Sequence, residues 1–454
     1  PQTPLDLHRH EIDCTTQDHN FHYTLDGFTT LTTSEFFDRT AGLAAGLEKL
    51  GVARGDRVML LTDNRPEWHM VDLATVDLGA ADVPVYGTLT PSQISYQVKD
   101  SGSKLAVAEN AEQMAKFLQI RDECPALTHL IQIEGPCAAG VLPLDEVIDS
   151  GRSGDSEDLF WQRAEKIAAE DLLTLIYTSG TTGNPKGVTL THENLVQNVL
   201  PSAERAPVDP DDLCLEFLPL CHVFERMLGY LYMYRGVTKA YCSVYHVGDL
   251  VATIKPNVFA SVPRIYEKVY DKVMDKVNNA PPIRRALFNW AIGVGRKAYP
   301  QELAGKKPGG FSYGLADKLV LSKVREALGG QLRYCISGGA PLPLFTNEFF
   351  HSIGIRILEG YGLTETSPVI SVNGFEGGKT RLGTVGQAIS NVEAKIAEDG
   401  ELCVKGPSVM KGYWNLPDKT AEVFDSEGFF LTGDIAEIDD DGFIPVSYTH
   451  LRAH

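Results

Sequence analysis

The chain has no C-x-x-C pair, no apolar run long enough to cross a bilayer, and no G-x-x-x-x-G-K-[ST] phosphate loop. Each absence removes a class of protein. Eight scattered cysteines make neither a zinc ribbon nor a disulfide framework, so free thiols in a reducing compartment are expected. Cys214 and Cys221 are close in sequence, but without a second pair they are not expected to bind zinc. With no secretion signal and no spanning segment, the expected compartment is the cytoplasm, and contact with a membrane surface stays open. Basic residues are also scarce, 41 against 60 acidic ones, for a net charge of −19. That argues against a nucleic-acid binder, which needs a basic face. It does not exclude a small anionic substrate, because the local charge of a site decides that.

What is present is an ordinary globular composition, 43% hydrophobic and 22% charged, over 454 residues, enough for more than one domain. One stretch stands apart: Tyr177-Thr178-Ser179-Gly180-Thr181-Thr182-Gly183-Asn184-Pro185-Lys186-Gly187. Glycines let several backbone N–H groups point into one concavity, hydroxyls add donors, and Lys186 adds a mobile cation. This chemistry suits phosphate. A plain surface turn has the same composition, but Leu172–Tyr177 reads as a buried strand leading into the loop, and open α/β sheets place ligands at the carboxyl ends of strands. A P-loop does not fit: Lys186 follows Pro185, and Gly187 stands where Ser or Thr should bind magnesium.

The rest of the chain alternates helix and strand patterns. Thr32-Thr33-Ser34-Glu35 has the spacing of a capping box, and a helix running to Gly51 is expected after it. Arg57–Leu61 reads as a strand, Pro66 as a first helical residue, and Asp82–Tyr86, Leu105–Ala108 and Leu130–Ile133 as further strands. Leu213–Leu218 predicts a strand followed by a helix from Phe224. Asn257–Val262 predicts a short strand, and Arg264–Val277 a helix. Residues 278–328 read as mostly helical, broken at Pro281-Pro282 and Lys307-Pro308-Gly309-Gly310. Leu332–Ile336 and Ile355–Leu358 read as buried strands, each ending in a Gly-rich turn. After about Arg381 the pattern becomes short strands with Gly turns, including a hairpin about Asp399-Gly400. No internal repeat or low-complexity segment is evident.

Four more motifs join the loop in order: Ser337-Gly338-Gly339-Ala340-Pro341, Glu359-Gly360-Tyr361-Gly362-Leu363-Thr364-Glu365-Thr366, Gly400-Glu401-Leu402 leading to Lys411-Gly412-Tyr413-Trp414, and Thr432-Gly433-Asp434. Each is weak alone. Together, over most of the chain, they resemble the adenylate-forming superfamily of acyl-CoA synthetases, luciferases and peptide-synthetase adenylation domains. Leu218–Arg226, Ser261–Lys268 and the helical insertion after Asn278 look like the long-chain fatty-acid CoA ligases. No Asp lies between Phe217 and Arg226 to hold a substrate amino group, which favours an acid without an amine. Aryl or medium-chain acids remain an alternative.

The resemblance implies an α/β fold, with parallel sheets between helices and a small β-barrel-like subdomain. An AMP-binding core would span residues 1–380, with a helical insertion at about 278–330, and the β-subdomain would span 381–444. It implies two steps. A carboxylate attacks the α-phosphate of ATP, releasing pyrophosphate, and the thiol of CoA then displaces AMP. Thr178, Ser179, Gly180, Thr181, Thr182, Gly183 and Lys186 would embrace the outer phosphates. Thr364 would touch the α-phosphate, and Glu365 with Thr181 would hold Mg2+. Tyr361, between Gly360 and Gly362, would lie against adenine, with Gly338, Gly339, Ala340, Pro341 and Glu359 around it. Asp434 would accept the ribose hydroxyls, and His222 would stand beside the acyl carboxylate. Each has a plainer alternative: Glu365 a solvated charge, Tyr361 a core tyrosine, Asp434 a turn residue, His222 a satisfied structural histidine. Glu225 and Arg226 read as a local ion pair. The expected partners are a long-chain fatty acid, ATP and CoA, with no nucleic acid, and peripheral membrane contact is compatible with such a substrate.

The match fades near Ile444, and residues 445–454 do not resemble the basic hinge that the family carries next. A C-terminal lid domain, with its own lysine, would follow that hinge. The expectation for this chain is substrate binding with impaired turnover.

Overall fold

The computed structural model describes residues 2–7, 9, 20–24, 27–178 and 183–445. Helix starts follow local chemistry. Thr32 accepts from the Glu35 N–H while Glu35 accepts from the Thr32 N–H, and the helix runs Thr33–Lys49. Thr90 with Gln93 and Thr191 with Asn194 repeat the device. Proline opens the helices at Pro66, Pro91, Pro263 and Pro282, where a missing N–H costs nothing.

These helices flank two large sheets. The first has eight strands, in the spatial order Gly412–Tyr413, Lys186–Thr191, Leu172–Thr178, Ala81–Pro84, Arg57–Leu61, Leu105–Ala108, His129–Gln132 and Leu142–Pro143. It is parallel from Leu172–Thr178 onward and antiparallel at the end that carries Lys186. The second has ten strands, in the order Gly27–Leu31, Asn20–Thr24, Thr238–Tyr241, Leu213–Glu216, Val258–Ser261, Tyr334–Ser337, Arg356–Gly362, Val369–Val372, Thr384–Ala388 and Phe443–Pro445. Its middle is parallel and its far end antiparallel. A small antiparallel sheet is built from Glu393–Ile396, Glu401–Lys405 and Phe430–Ile435.

The α/β class read from the alternating pattern is the observed one. The Gly-rich loop joins two antiparallel neighbours, Leu172–Thr178 and Lys186–Thr191. Two local readings change. Gly360-Tyr361-Gly362 is not a turn but the second half of a strand. Residues 356–359 pair in parallel with Tyr334–Ser337, and residues 360–362 then pair antiparallel with Val369–Val372. Glycines at 360 and 362 reflect that close pairing rather than a reversal. Finally, of the β-rich stretch after Arg381, only the three strands between Glu393 and Ile435 form a sheet of their own. Thr384–Ala388 and Phe443–Pro445 extend the second sheet, and Gly412–Tyr413 joins the first.

Among the described residues no helix is long and apolar enough to cross a membrane. The described cysteines are unpaired. Burial pushes the Cys221 thiol up to about 12, far from a reactive thiolate.

The two sheets are tied by a buried cation. Arg226, on the helix Val223–Arg235, reaches Asp72 at 2.7 Å and Asp82 at 3.0 Å, and all three side chains are fully buried. Asp72 belongs to the helix Pro66–Asp77 and Asp82 to the first sheet, whereas Arg226 follows a strand of the second. Tyr230 donates to Asp72 at 2.6 Å and accepts from the Arg226 Nε at 3.0 Å. The expected Glu225–Arg226 pair does not form. Successive side chains on a helix diverge, and Glu225 turns away to accept from the Phe217 N–H at 3.0 Å. Burial pushes the Asp72 carboxyl up to about 7 even beside Arg226, because desolvation outweighs the attraction.

Replacing the cation therefore has a definite signature. Arg226→Met leaves two carboxylates buried without their partner, and is expected to cost about 3–5 kcal/mol at pH 8. The folded-state pKa of Asp72 is raised, so native protein takes up this proton more readily than unfolded chain, and stability falls as pH rises. Without Arg226 the pKa rises further. The destabilisation should thus be smaller at pH 6 than at pH 8 in denaturant titrations; equal loss at both would contradict the assignment.

Candidate active site

The ends of the two sheets face a cavity of about 620 Å3. The first sheet contributes Thr178 and Lys186, cross-strand partners on either side of the loop. The second contributes Gly338, Gly339 and the run Gly360–Glu365. Residues 179–182, which hold the expected Ser179, Gly180, Thr181 and Thr182, lie outside the described residues.

Lys186 and Glu365 meet through a tyrosine. The Lys186 Nζ sits 4.1 Å from the centre of the Tyr413 ring, and the Tyr413 hydroxyl donates to Glu365 Oε1 at 2.9 Å. Tyr413 holds this place because Gly412–Tyr413 pairs with the Lys186–Thr191 strand, at the register Tyr413 to Val188. The neighbouring backbone is pinned too: the Trp414 N–H donates to the Gly187 carbonyl at 2.7 Å, and the Met410 N–H to the Glu365 carbonyl at 2.8 Å. Tyr413 belonged to a motif in the sequence but was not picked out as a site residue. Its signal is the aromatic that directly follows Gly412.

Thr364 and Glu365 sit on a single turn, Thr364–Thr366, held from behind. The Asn198 Nδ2 donates to the carbonyls of Thr366 at 3.2 Å and Val369 at 2.8 Å, and its Oδ1 accepts from the Val369 N–H at 3.1 Å. Asn198 lies on the helix His192–Arg205 and is fully buried. Nothing in its local sequence marks it. In front of that turn, Gly362 packs against the Pro368 backbone so tightly that a β-carbon would fall 1.8 Å from the Pro368 carbonyl oxygen.

The Tyr361 hydroxyl donates to Asp434, which is carried by the small sheet's strand Phe430–Ile435. The small sheet is thereby joined to the second sheet at the cavity. Burial, and then the Asp434 carboxylate, push the Tyr361 phenol well above the ordinary tyrosine range, so it remains a donor. Gly433 lines the cavity directly, and its N–H donates to Glu401 Oε1 at 2.6 Å.

His222 lines the cavity as the N-cap of the helix Val223–Arg235, its Nδ1 accepting from the Phe224 N–H at 3.2 Å. Desolvation lowers its pKa, so the ring is neutral near pH 7 with the proton on Nε2. The cavity also has apolar lining, from Phe224, Met227, Leu228 and Leu231 of that helix and from Val369 and Val372 of the second sheet. Gly338 allows the close approach of Phe224, whose ring would lie 3.1 Å from a β-carbon there.

Five expected residues do not line the cavity. Asp434 is buried behind its wall, bonded to Tyr361. Gly183, Ala340 and Pro341 are exposed beside it. Glu359 is buried beneath it, accepting from Asn347 Nδ2 at 2.7 Å, with burial pushing its pKa up to about 7.

The family model described as "AMP-binding enzyme" matches residues 11–414. The long-chain-fatty-acid–CoA ligase FadD15 of Mycobacterium bovis is 35% identical over 433 residues, covering 93% of this chain and 70% of that protein. The peroxisomal long chain acyl-CoA synthetase 7 of Arabidopsis thaliana is 32% identical over 441 residues, 91% of this chain and 60% of that one. Among solved structures, the inhibitor-bound N-terminal domain of FACL13 from Mycobacterium tuberculosis superposes with a TM-score of 0.70 at 24% identity, covering 98% and 99% of the two chains. That likeness is one of fold.

The Gly362 contact makes a stability prediction. Gly362→Ala forces the Pro368 backbone away and is expected to destabilise the chain by about 1–3 kcal/mol. Gly183→Ala, which meets nothing within 4 Å, should leave the thermal midpoint unchanged. Differential scanning calorimetry of both variants checks the contrast.

Proposed function

The chain belongs to the family of AMP-binding enzymes, and from that premise we propose that it activates a long-chain fatty acid with ATP for transfer to CoA. The observation that carries this reading is one cavity with two chemistries. Lys186, Thr364, Glu365 and Tyr361, the last bonded to Asp434, line it together with an apolar set that includes Met227, Leu228 and Leu231.

In this reading residues 1–380 and 381–444 work as one binding unit. ATP lies with adenine against Tyr361, passing close to Gly338 and Gly339 where side chains would obstruct it. Asp434 accepts from the ribose hydroxyls. Lys186 and the loop from Thr178 to Gly183 neutralise the outer phosphates, and Thr364 donates to the α-phosphate. The fatty acid lies along the apolar wall with its carboxylate near His222, whose Nε2–H donates to it. Carboxylate oxygen attacks the α-phosphorus; the bond to the β-phosphate breaks, and pyrophosphate leaves. The CoA thiolate then attacks the acyl carbon, and AMP departs with the shared oxygen.

Glu365 suits a magnesium ion, and Thr181, the other expected ligand, lies outside the described residues. Among the described residues no three His, Cys, Asp or Glu side chains converge, which fits an ion bound mainly by substrate phosphates and water with a single carboxylate. When bound, Mg2+ would neutralise charge on the phosphates. The relatives named as long-chain acyl ligases support the acid class.

Binding tests the reading without requiring turnover. Non-hydrolysable acyl-adenylates with long-chain, aryl and aminoacyl groups would be titrated by calorimetry. The long-chain analogue should bind most tightly, and Asp434→Ala should weaken it at least tenfold, about 1.4 kcal/mol. Tighter binding of the aryl analogue would move the acid class. No binding to folded protein would overturn the site.

A further inference from the structure

The helices after Asn278 carry a surface unlike the rest of the molecule. Between positions 278 and 330 there are nine Lys and Arg against three Asp and Glu, in a chain with 41 against 60. Two of those acids are occupied from within: Glu302 pairs with Arg356 and Asp317 with Arg325. Six of the bases instead point outward, as the exposed pairs Arg284–Arg285, Arg296–Lys297 and Lys306–Lys307. Among the described residues, only Arg296 of these six has a carboxylate nearby, Glu348 at 3.7 Å.

Apolar side chains stand between these cations. The helix Pro282–Leu303 buries Phe288, Ala291, Gly295 and Ala298, one stripe at helical spacing. Gly295 fixes that face inward, since a β-carbon there would lie 1.9 Å from the Ser352 carbonyl oxygen. Ile283 and Trp290 are therefore turned outward, 84% and 39% exposed. The next helical stretch, Phe311–Leu321, buries Ala316, Val320 and Leu321. It exposes Phe311, Leu315 and Leu319, at intervals of four, with Phe311 88% exposed. These tips are too mixed with lysine for a protein interface core, where lysine is depleted. Apolar tips among Lys and Arg are what a bilayer interface accepts: cations at the headgroups, large side chains at the acyl boundary.

We propose that this helical face docks the chain on an anionic phospholipid surface. The remainder of the chain is strongly acidic and is repelled by such a surface, so charge alone orients the molecule with this face down. The proposal stands on the surface itself and does not depend on the acyl-ligase reading.

The test is sedimentation of the whole chain with vesicles of phosphatidylcholine containing phosphatidylglycerol, and with phosphatidylcholine alone, at low and high salt. The chain should bind the anionic vesicles, and raised salt should weaken it. Lys306→Glu with Lys307→Glu, and separately Ile283→Ser with Phe311→Ser, should each weaken binding at least tenfold. All four positions are exposed, and matching melting curves verify the fold. Equal binding to neutral vesicles, no binding, or unchanged binding by both variants would overturn the proposal. So would a concentration-dependent dimer, seen by analytical ultracentrifugation, that the same substitutions abolish, since a second copy would then cover this face.

Discussion

A guanidinium with no access to water sets the relation between the two sheets. Arg226 is charged and must answer to carboxylates wherever it is buried, and both of its acids, Asp72 and Asp82, belong to the other sheet's layer. An apolar contact of similar area would tolerate sliding; a bidentate cation between two fixed carboxylates does not. The helix that carries Arg226 also carries His222 at its start and Met227, Leu228 and Leu231 along one side. Holding that helix in register therefore holds the histidine and the apolar wall of the cavity together.

The same logic of neighbours supporting neighbours recurs around the cavity. Asn198 spends its whole amide on the backbone after Thr364 and Glu365. It reaches them from the helix that follows the Lys186 strand, so the cation and the acid share one support. Asn64 does likewise near His222, donating to the Leu218 carbonyl at 2.7 Å and accepting from the Leu220 N–H at 3.1 Å. Side-chain amides are suited to this because one group satisfies a donor and an acceptor at once.

What could be read in advance follows from how local each signal is. Caps, proline starts and buried strands depend on a few adjacent residues, and Thr32–Glu35, Pro66, Arg57–Leu61 and Leu105–Ala108 lie where their patterns place them. Pairing partners depend on distant chain. Nothing near Gly360-Tyr361-Gly362 says that the strand will exchange a parallel neighbour for an antiparallel one, so its glycines read locally as a reversal. Most of the expected site residues gather at one cavity because motifs at strand ends converge wherever sheets converge. Asn198 and Tyr413 were missed as site residues because their value lies in what they touch across the fold, and Glu225–Arg226 misled because adjacency in sequence is not adjacency on a helix.

The phenol of Tyr413 separates two groups that would otherwise attract each other. Lys186 meets its face and Glu365 meets its hydroxyl. It works as a spacer between opposite charges. A direct lysine–carboxylate contact would have to be broken before either group could serve a ligand, and in a partly enclosed site that is a substantial barrier. A ring face yields a cation at a cost of about 0.5–2 kcal/mol. The two charges are thus held apart by weak contacts rather than locked in a strong one, so the cavity does not collapse on its own charges.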